Sequence, residues 1–80
     1  MIHVEMLMPD GTDTFFLVEE NAAVKKLLQE FAEFVPSAEP AGLRLFDELG
    51  NREIDRESAL SDLGITSGWR LRLEMLKEEG

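Results

Sequence analysis

Cysteine is absent from this 80-residue sequence. The chain can therefore form no disulfide, and it offers neither a thiolate nucleophile nor the ligands of a thiolate-rich zinc site. Basic residues are also scarce, because 8 lysines and arginines stand against 17 aspartates and glutamates and leave a formal net charge of −9. A charge of this sign disfavours nucleic acid and anionic membrane surfaces as partners.

Long apolar runs are missing as well. No stretch approaches the length of a membrane span, and the first residues, Met1 to Met6, lack the basic region and long apolar core of a secretion signal. We therefore expect a cytoplasmic protein without direct membrane insertion. Hydrophobic residues make up 44% of the sequence, which is enough for residues 1–80 to form a single domain around one core.

Residue types that carry catalysis or hold metals are few. His3 is the only histidine, and no nucleophile lies near it in sequence, so we interpret it as an exposed strand residue. The acidic pairs lack the regular spacing and the glycine of a calcium loop. The glycines are scattered and form no phosphate-binding loop. We therefore expect a protein that is not an enzyme, with no catalytic residue, no cofactor and no metal site.

The N-terminal part of the sequence predicts a β-hairpin. Ile2 to Met8 alternate in the period-two pattern of a strand with one buried face. Pro9-Asp10-Gly11 has the composition of a tight turn, and Thr14 to Val18 return antiparallel to the first strand. This second strand is apolar on both faces, and we expect Phe16 and Val18 to point inward.

Helical spacing follows the hairpin. Asn21 is a good N-cap, and from Ala22 onward the sequence predicts an amphipathic helix of about three to four turns. Pro36 and Pro40 end the helix and carry the chain through an irregular loop that includes Ser37. The side chains expected on the apolar face of this helix are Val24, Leu27, Leu28, Phe31, Phe34 and Val35.

The rest of the sequence predicts three more strands. Leu43 to Phe46 form a third strand, and a short fourth segment surrounds Ile54. Ser58 to Leu63 form a brief helical turn, which Gly64 ends as a left-handed cap. Arg70 to Met75 alternate polar with apolar residues, which predicts a last strand with one buried face. We expect this last strand to lie at the centre of the sheet with a neighbour on each side.

This order of strands and helices is that of a β-grasp. The sequence resembles the ubiquitin-like superfamily over nearly its whole length, most clearly in Ala59-Leu-Ser-Asp-Leu-Gly-Ile65. The expected fold is α+β, a ubiquitin-like β-grasp whose mixed four- to five-stranded sheet carries one main helix across one face. Within the superfamily the sequence is most similar to the small bacterial YukD-like proteins of type VII secretion loci, through Val24-Lys-Lys-Leu-Leu28 and through Leu60 to Leu71.

The resemblance to YukD-like proteins implies a protein-interaction module that acts as an accessory protein of type VII secretion, with partners among the components of that machinery. Ubiquitin-like modifiers end in a Gly-Gly tail that is joined to lysine, whereas this sequence ends in Lys77-Glu-Glu-Gly80. We therefore expect neither conjugation nor sulfur carriage. Two alternatives stay open, namely covalent attachment through Gly80 and a ubiquitin-like domain of a larger protein.

Binding residues are expected on the outward side of the last strand. Arg70 and Arg72 would point away from the helix, and in a β-grasp the third strand would place Arg44 and Phe46 beside them. Arginine and aromatic residues are enriched at binding hot spots, so these four residues form the first predicted protein-binding surface. The alternative is an ordinary exposed sheet face whose arginines serve solubility.

The outward side of the second strand is another candidate surface. Phe15 and Leu17 would lie there, on a strand expected at the edge of the sheet, where unpaired backbone groups can pair with another chain. Such a surface would serve a homodimer or a partner protein. The alternative is that Phe15 folds over its own sheet, or that the register differs by one residue. We interpret Trp69 as a packing residue at one end of the core.

Overall fold

The computed structural model describes residues 1–36 and 38–76. This part of the chain forms five strands, one α-helix and two short 3-10 turns. In chain order they are β1 (Ile2–Leu7), β2 (Asp13–Val18), α1 (Val24–Ala32), the first 3-10 turn (Pro40–Gly42), β3 (Leu43–Asp47), β4 (Arg52–Glu53), the second 3-10 turn (Leu60–Leu63) and β5 (Trp69–Met75).

β5 lies in the middle of a mixed sheet whose order is β2-β1-β5-β3-β4. It runs parallel to β1, with Leu71 opposite Met6, and antiparallel to β3, with Leu73 opposite Leu45. The predicted central position of the last strand is therefore confirmed. A mixed sheet with one main helix and a short helical turn before the last strand is the β-grasp arrangement, so the predicted fold class is confirmed as well.

The predicted hairpin between β1 and β2 is present. The backbone N–H of Met8 donates to the carbonyl of Thr12 over 2.7 Å, and Gly11 takes a φ of +90°, which glycine adopts without strain. Asp10 stabilises the turn, because its carboxylate accepts hydrogen bonds from the backbone N–H of Thr12 (3.0 Å) and from its hydroxyl (2.6 Å). The β2 register places Phe16 opposite Val4, on the inward side, as predicted.

The start of the helix differs from the prediction that Asn21 caps it. α1 begins at Val24, and Ala23 takes the N-cap position without a side-chain cap. Carbonyl oxygens from a distant part of the chain replace the missing cap, because the N–H of Val24 donates to Ser58 (2.8 Å) and that of Lys25 to Arg56 (3.0 Å). The first turn of α1 is therefore anchored to the segment before the second 3-10 turn.

The end of the helix also differs from the prediction. α1 has 9 residues, or about two and a half turns, rather than three to four. The N–H groups of Phe34 and Val35 bond to carbonyls three residues back, so the chain tightens and leaves the α-helical period. As a result Val35 is buried, whereas Phe34, which was expected on the apolar face, is 61% exposed.

The core lies between α1 and one face of the sheet, and every buried side chain in the described ranges is hydrophobic. Trp69 is partly buried against this core, and its indole N–H donates to the Asp47 carboxylate over 3.1 Å, as expected of a packing residue. Gly64 ends the second 3-10 turn with a φ of +73°. None of the described helices is long and apolar enough to cross a membrane. The fully buried larger side chains are Val4, Met6, Val18, Val24, Leu27, Leu28, Phe31, Leu43, Leu45, Leu60, Leu71 and Leu73.

Candidate protein-interaction face

The face of the sheet away from α1, here called the open face, brings the two predicted surfaces together. Strand alternation places outward side chains of β2, β1, β5 and β3 side by side on it. In the register, Glu5 lies between Phe15 and Arg70, and Arg72 lies between Leu7 and Phe46. The predicted binding residues on this face are Arg44, Phe46, Arg70, Arg72, Phe15 and Leu17.

The two predicted surfaces form one continuous face because β1 connects them. β2 and β3 are three strand positions apart, which corresponds to about 14 Å. His3, Glu5 and Leu7 of β1 fill the space between the aromatic residues of the two strands. A single extended partner would therefore be able to contact both groups of residues at once.

Arg72 is held rigidly near the middle of the open face. Its guanidinium carbon lies 4.8 Å from the centre of the Phe46 ring, within the range of a cation–π contact. Its three nitrogens donate to the Glu74 carboxylate (2.7 Å), the Glu48 carboxylate (3.0 Å) and the side-chain oxygen of Asn51 (2.8 Å). The ring of Phe46 and the plane of the guanidinium thus form one preorganised unit.

The other two arginines of the open face also have acidic partners. Arg70 forms ion pairs with Glu5 and with Asp13, the latter over 3.0 Å. Arg44 lies 3.9 Å from the Glu53 carboxylate. Because five carboxylates lie against the three guanidiniums, the open face is not basic and carries a small excess of negative charge. The sequence order indicated the positions of these arginines but not their partners, which come from β1, β2, β4, β5 and the turn between β3 and β4.

The apolar part of the open face lies on β2. Phe15 is 71% exposed and Leu17 54% exposed, so the register favoured from the sequence is confirmed and the register shifted by one residue is wrong. β2 is also an outer strand of the sheet, as predicted. Exposed apolar side chains therefore coincide with an edge whose backbone groups have no neighbouring strand among residues 1–36 and 38–76.

The described residues bring no cluster of metal-ligating side chains together. His3 is exposed, and within residues 1–36 and 38–76 no group of three or more histidine, aspartate or glutamate side chains is placed to hold a metal ion. The C-terminal segment from Lys77 to Gly80, on which covalent attachment would depend, lies outside the described residues, as does Ser37.

Arg56 fixes the start of β3, and this role was not identified in the sequence. Its guanidinium donates to the carbonyls of Pro40 (2.8 Å), Leu43 (3.1 Å) and Ala41 (3.3 Å). These carbonyls lie at the entry to β3, so Arg56 fixes the strand that carries Arg44 and Phe46. No sequence signal could have identified this role, because the acceptors are main-chain atoms more than ten residues away.

A groove on the helix side was also missed. It has a volume of about 360 Å³ and lies between the β1–β2 turn, the end of α1 and the end of β5. Phe34 and Met75 contribute apolar surface to it, and Thr12 of the turn and Thr14 of β2 line its opposite side. The unpredicted exposure of Phe34 is what opens this groove next to the β2 edge.

Known structures share this architecture. The chain superposes over its full length on 98% of a computationally designed protein based on human erythrocytic ubiquitin, with a TM-score of 0.82 and 28% identity. A second match is the ubiquitin of Caldiarchaeum subterraneum, with a TM-score of 0.79 and 18% identity. The match includes 99% of this chain and 98% of that ubiquitin. A third match is ATBAG1, solved in complex with HSP70, with a TM-score of 0.82 and 14% identity. The match includes 95% of this chain but only 41% of ATBAG1.

No protein-family model and no curated protein sequence matches this chain. The structural matches establish the ubiquitin-like β-grasp fold. The chain thus has a ubiquitin-like fold, and its function has to be argued from the surface it presents, because one fold serves many roles.

Proposed function

We propose that this chain is a non-enzymatic ubiquitin-like module that binds a partner protein non-covalently through the open face. The observation that carries this proposal is the exposure of Phe15 (71%) and Leu17 (54%) on a sheet face whose other side is packed into an apolar core. Exposed apolar side chains with a polar rim are typical of interaction sites. The stacked pair of Phe46 and Arg72 adds residue types that dominate binding energies.

The partner proposed for this module is a component of a bacterial type VII secretion system, which the chain would serve as a cytoplasmic accessory protein. Support for this role comes from the similarity of Val24 to Leu28, and of Leu60 to Leu71, to YukD-like proteins. The first segment begins α1, and the second runs from the second 3-10 turn into β5. Capture of a secretion-machinery component would support the role, and capture of unrelated partners would refute it.

A ubiquitin-like domain of a larger protein is the second candidate. It is favoured by the match to ATBAG1, because the chain covers only 41% of that protein. In this case the open face would bind the same kind of partner, and the remaining parts of the larger protein would determine where binding occurs. The length of the protein in cells, measured with an antibody against this domain, distinguishes this candidate from a standalone module.

The test begins with a tagged chain expressed in its native host and captured in parallel under mild and denaturing conditions. We expect a defined set of partners under mild conditions and only the 9.1 kDa chain after denaturation. A ladder of heavier adducts that survives denaturation would mean covalent attachment through Gly80 and would overturn the non-covalent proposal.

Variants then locate the binding surface. We expect the double variant Phe46→Ala and Arg72→Asp to keep its fold but to capture the partner at least about tenfold less well, as removal of a hot spot does. Leu17→Ala should also weaken capture. Leu63→Ala is the matched control, because Leu63 is similarly exposed (49% against 54%) but lies on the second 3-10 turn. Capture that is equal for all these variants would refute a role for the open face.

A further inference from the structure

The backbone of β2 presents to solvent a set of hydrogen-bonding groups that no other described strand pairs with. The hydrogen bond from Met8 to Thr12 marks these two residues as a hydrogen-bonded pair of the hairpin. In an antiparallel ladder, hydrogen-bonded pairs recur at every second residue, so Thr14, Phe16 and Val18 direct their N–H and C=O groups toward β1. Asp13, Phe15 and Leu17 accordingly direct theirs outward, away from the sheet. The side chains of these three residues are exposed as well.

The surroundings of this edge are acidic. Residues 1–24 contain no lysine or arginine but five carboxylate residues, of which Asp13 and Glu19 flank the exposed apolar pair of Phe15 and Leu17. Arg70 forms ion pairs with Asp13 and Glu5, and the N-terminal ammonium of Met1 forms one with Glu20. Two cations against five carboxylates leave the hairpin with an excess of negative charge. A strand that pairs with β2 should therefore carry lysine or arginine at its ends and apolar residues in its centre.

Both faces of an added strand would find apolar contacts. Side chains on the open face would lie beside Phe15 and Leu17, as directly opposed residues do across a ladder. Side chains on the other face would approach the helix-side groove at Thr14 and Phe34. The Phe34 ring is 61% exposed and stands edge-on to Phe16 with 5.2 Å between the ring centres. A continuous apolar stretch would fit this edge better than a strictly alternating one.

A second copy of the chain is a poorer occupant of the same edge. Two β2 strands paired antiparallel about Phe16 would set Asp13 of one copy opposite Glu19 of the other at both ends. Like charges directly opposite each other destabilise a ladder, and each copy carries a net charge of −9. The observations therefore favour a basic partner over a homodimer.

We infer that the outer edge of β2 binds an extended segment of a partner protein as an added strand, and that this segment has about four consecutive apolar residues flanked by lysine or arginine. The inference depends on the proposed function and adds the chemistry of the partner to it. The main-chain groups of Asp13, Phe15 and Leu17 supply the hydrogen bonds, and the acidic hairpin supplies the charge complement.

The test uses a synthetic peptide, Lys-Lys-Val-Ile-Val-Val-Lys-Lys, and the complete chain labelled for NMR. We expect the largest amide shifts at Asp13, Phe15 and Leu17. N-methylation of alternate peptide residues removes the donors on one edge only, so one of the two methylated peptides should bind at least about tenfold more weakly than the other. Equal loss for both methylated peptides, or no binding at all, would overturn the inference.

Reversing the charges of Asp13 and Glu19, which flank the exposed apolar pair of β2, tests the proposed charge complementarity. The double variant Asp13→Lys and Glu19→Lys should bind the basic peptide about tenfold more weakly and should gain affinity for a peptide with glutamate in place of lysine. Leu63→Ala should leave binding of the basic peptide unchanged. Formation of a β2–β2 dimer by the unmodified chain, detected by sedimentation, would also overturn the inference, because a second copy would then occupy the edge.

The same peptide separates this inference from the proposed function. Phe46→Ala with Arg72→Asp should reduce capture of the native partner but leave the peptide affinity unchanged, since neither residue touches the β2 edge. If the peptide fails to bind while capture still depends on Phe46 and Arg72, the edge inference falls and the proposed function stands. If the peptide fails to bind and capture of the native partner is also unaffected by these substitutions, both the edge inference and the proposed function are wrong.

Discussion

On the helix-covered face of the sheet, Leu71 and Leu73 of β5 are sealed from water, whereas the open-face side chains of the same strand meet solvent and carboxylates. Leu71 and Leu73 are 0% exposed, and Arg70 and Arg72 alternate with them along the strand. The sealed face depends on apolar burial and the open face on ion pairs and stacking. One strand thus carries two sets of interactions with different consequences for stability.

The two sets differ in size. Complete burial of a leucine side chain stabilises a fold by about 1.5–3 kcal/mol, whereas an exposed ion pair contributes about 0–1 kcal/mol. The fold should therefore tolerate changes on the open face that it would not tolerate on the helix-covered face. That tolerance leaves the open face free to be adapted to a partner.

The strongest test of this comparison replaces one residue from each face of β5. We expect Leu73→Ala to reduce the free energy of unfolding by about 2–5 kcal/mol, because it leaves a cavity under α1. Arg70→Ala should change it by no more than about 1 kcal/mol. Urea unfolding followed by the fluorescence of Trp69, the only tryptophan, measures both. Comparable losses for the two variants would contradict the division between the two faces.

A smaller effect is expected for Arg56, which belongs to neither face but fixes β3 for both. Arg56→Ala should cost about 1–3 kcal/mol, because the carbonyls of Pro40 and Leu43 lose hydrogen bonds from a charged donor. Arg56→Lys should recover only part of the lost stability, because a single ammonium group cannot donate to several carbonyls at once as the planar guanidinium does. Arg52→Ala, at an exposed position of β4, is the control. Full recovery by lysine would mean that charge alone accounts for the contribution.

The features that could be predicted from the sequence are those decided by near neighbours in the chain. The period-two alternation of Arg70 to Met75 indicated which side chains are buried, and Pro9 to Gly11 specified the turn between β1 and β2. The order of strands then placed the predicted arginines and Phe46 on one face. Each of these features depends on residues within one element or on the topology as a whole.

The features that could not be predicted depend on contacts between distant segments. Carbonyls near Ser58 anchor the start of α1 in place of Asn21, and nothing around Asn21 indicates this. The carboxylates that pair with the arginines of the open face lie up to 65 residues from them in the sequence. The groove beside β2 arises because the chain leaves the helical period before Phe34. Local patterns thus determine the faces of the strands but not the charge of the surface.

The smallest predicted effect concerns the turn that joins β1 and β2. Hydrogen bonds from the hydroxyl and the backbone N–H of Thr12 hold the pKa of Asp10 below its ordinary value of 3.8. A carboxyl group whose pKa is lowered on folding stabilises the fold above its unfolded pKa, and this contribution is lost as the pH falls through the folded pKa. We therefore expect Asp10→Ala to be less stable than the parent at pH 7, by an amount that shrinks as Asp10 becomes protonated in acidic solution.

The measurement is urea unfolding of the parent and of Asp10→Ala at pH values from about 7 down to about 2.5, with stability compared at each pH. Asp10→Asn is the matched control, because its amide oxygen still accepts from Thr12 but does not titrate in this range. The difference between the asparagine and alanine variants should then be independent of pH. A difference between the parent and Asp10→Ala that stays constant down to acidic pH would show that the turn depends on the shape of residue 10 and not on its charge.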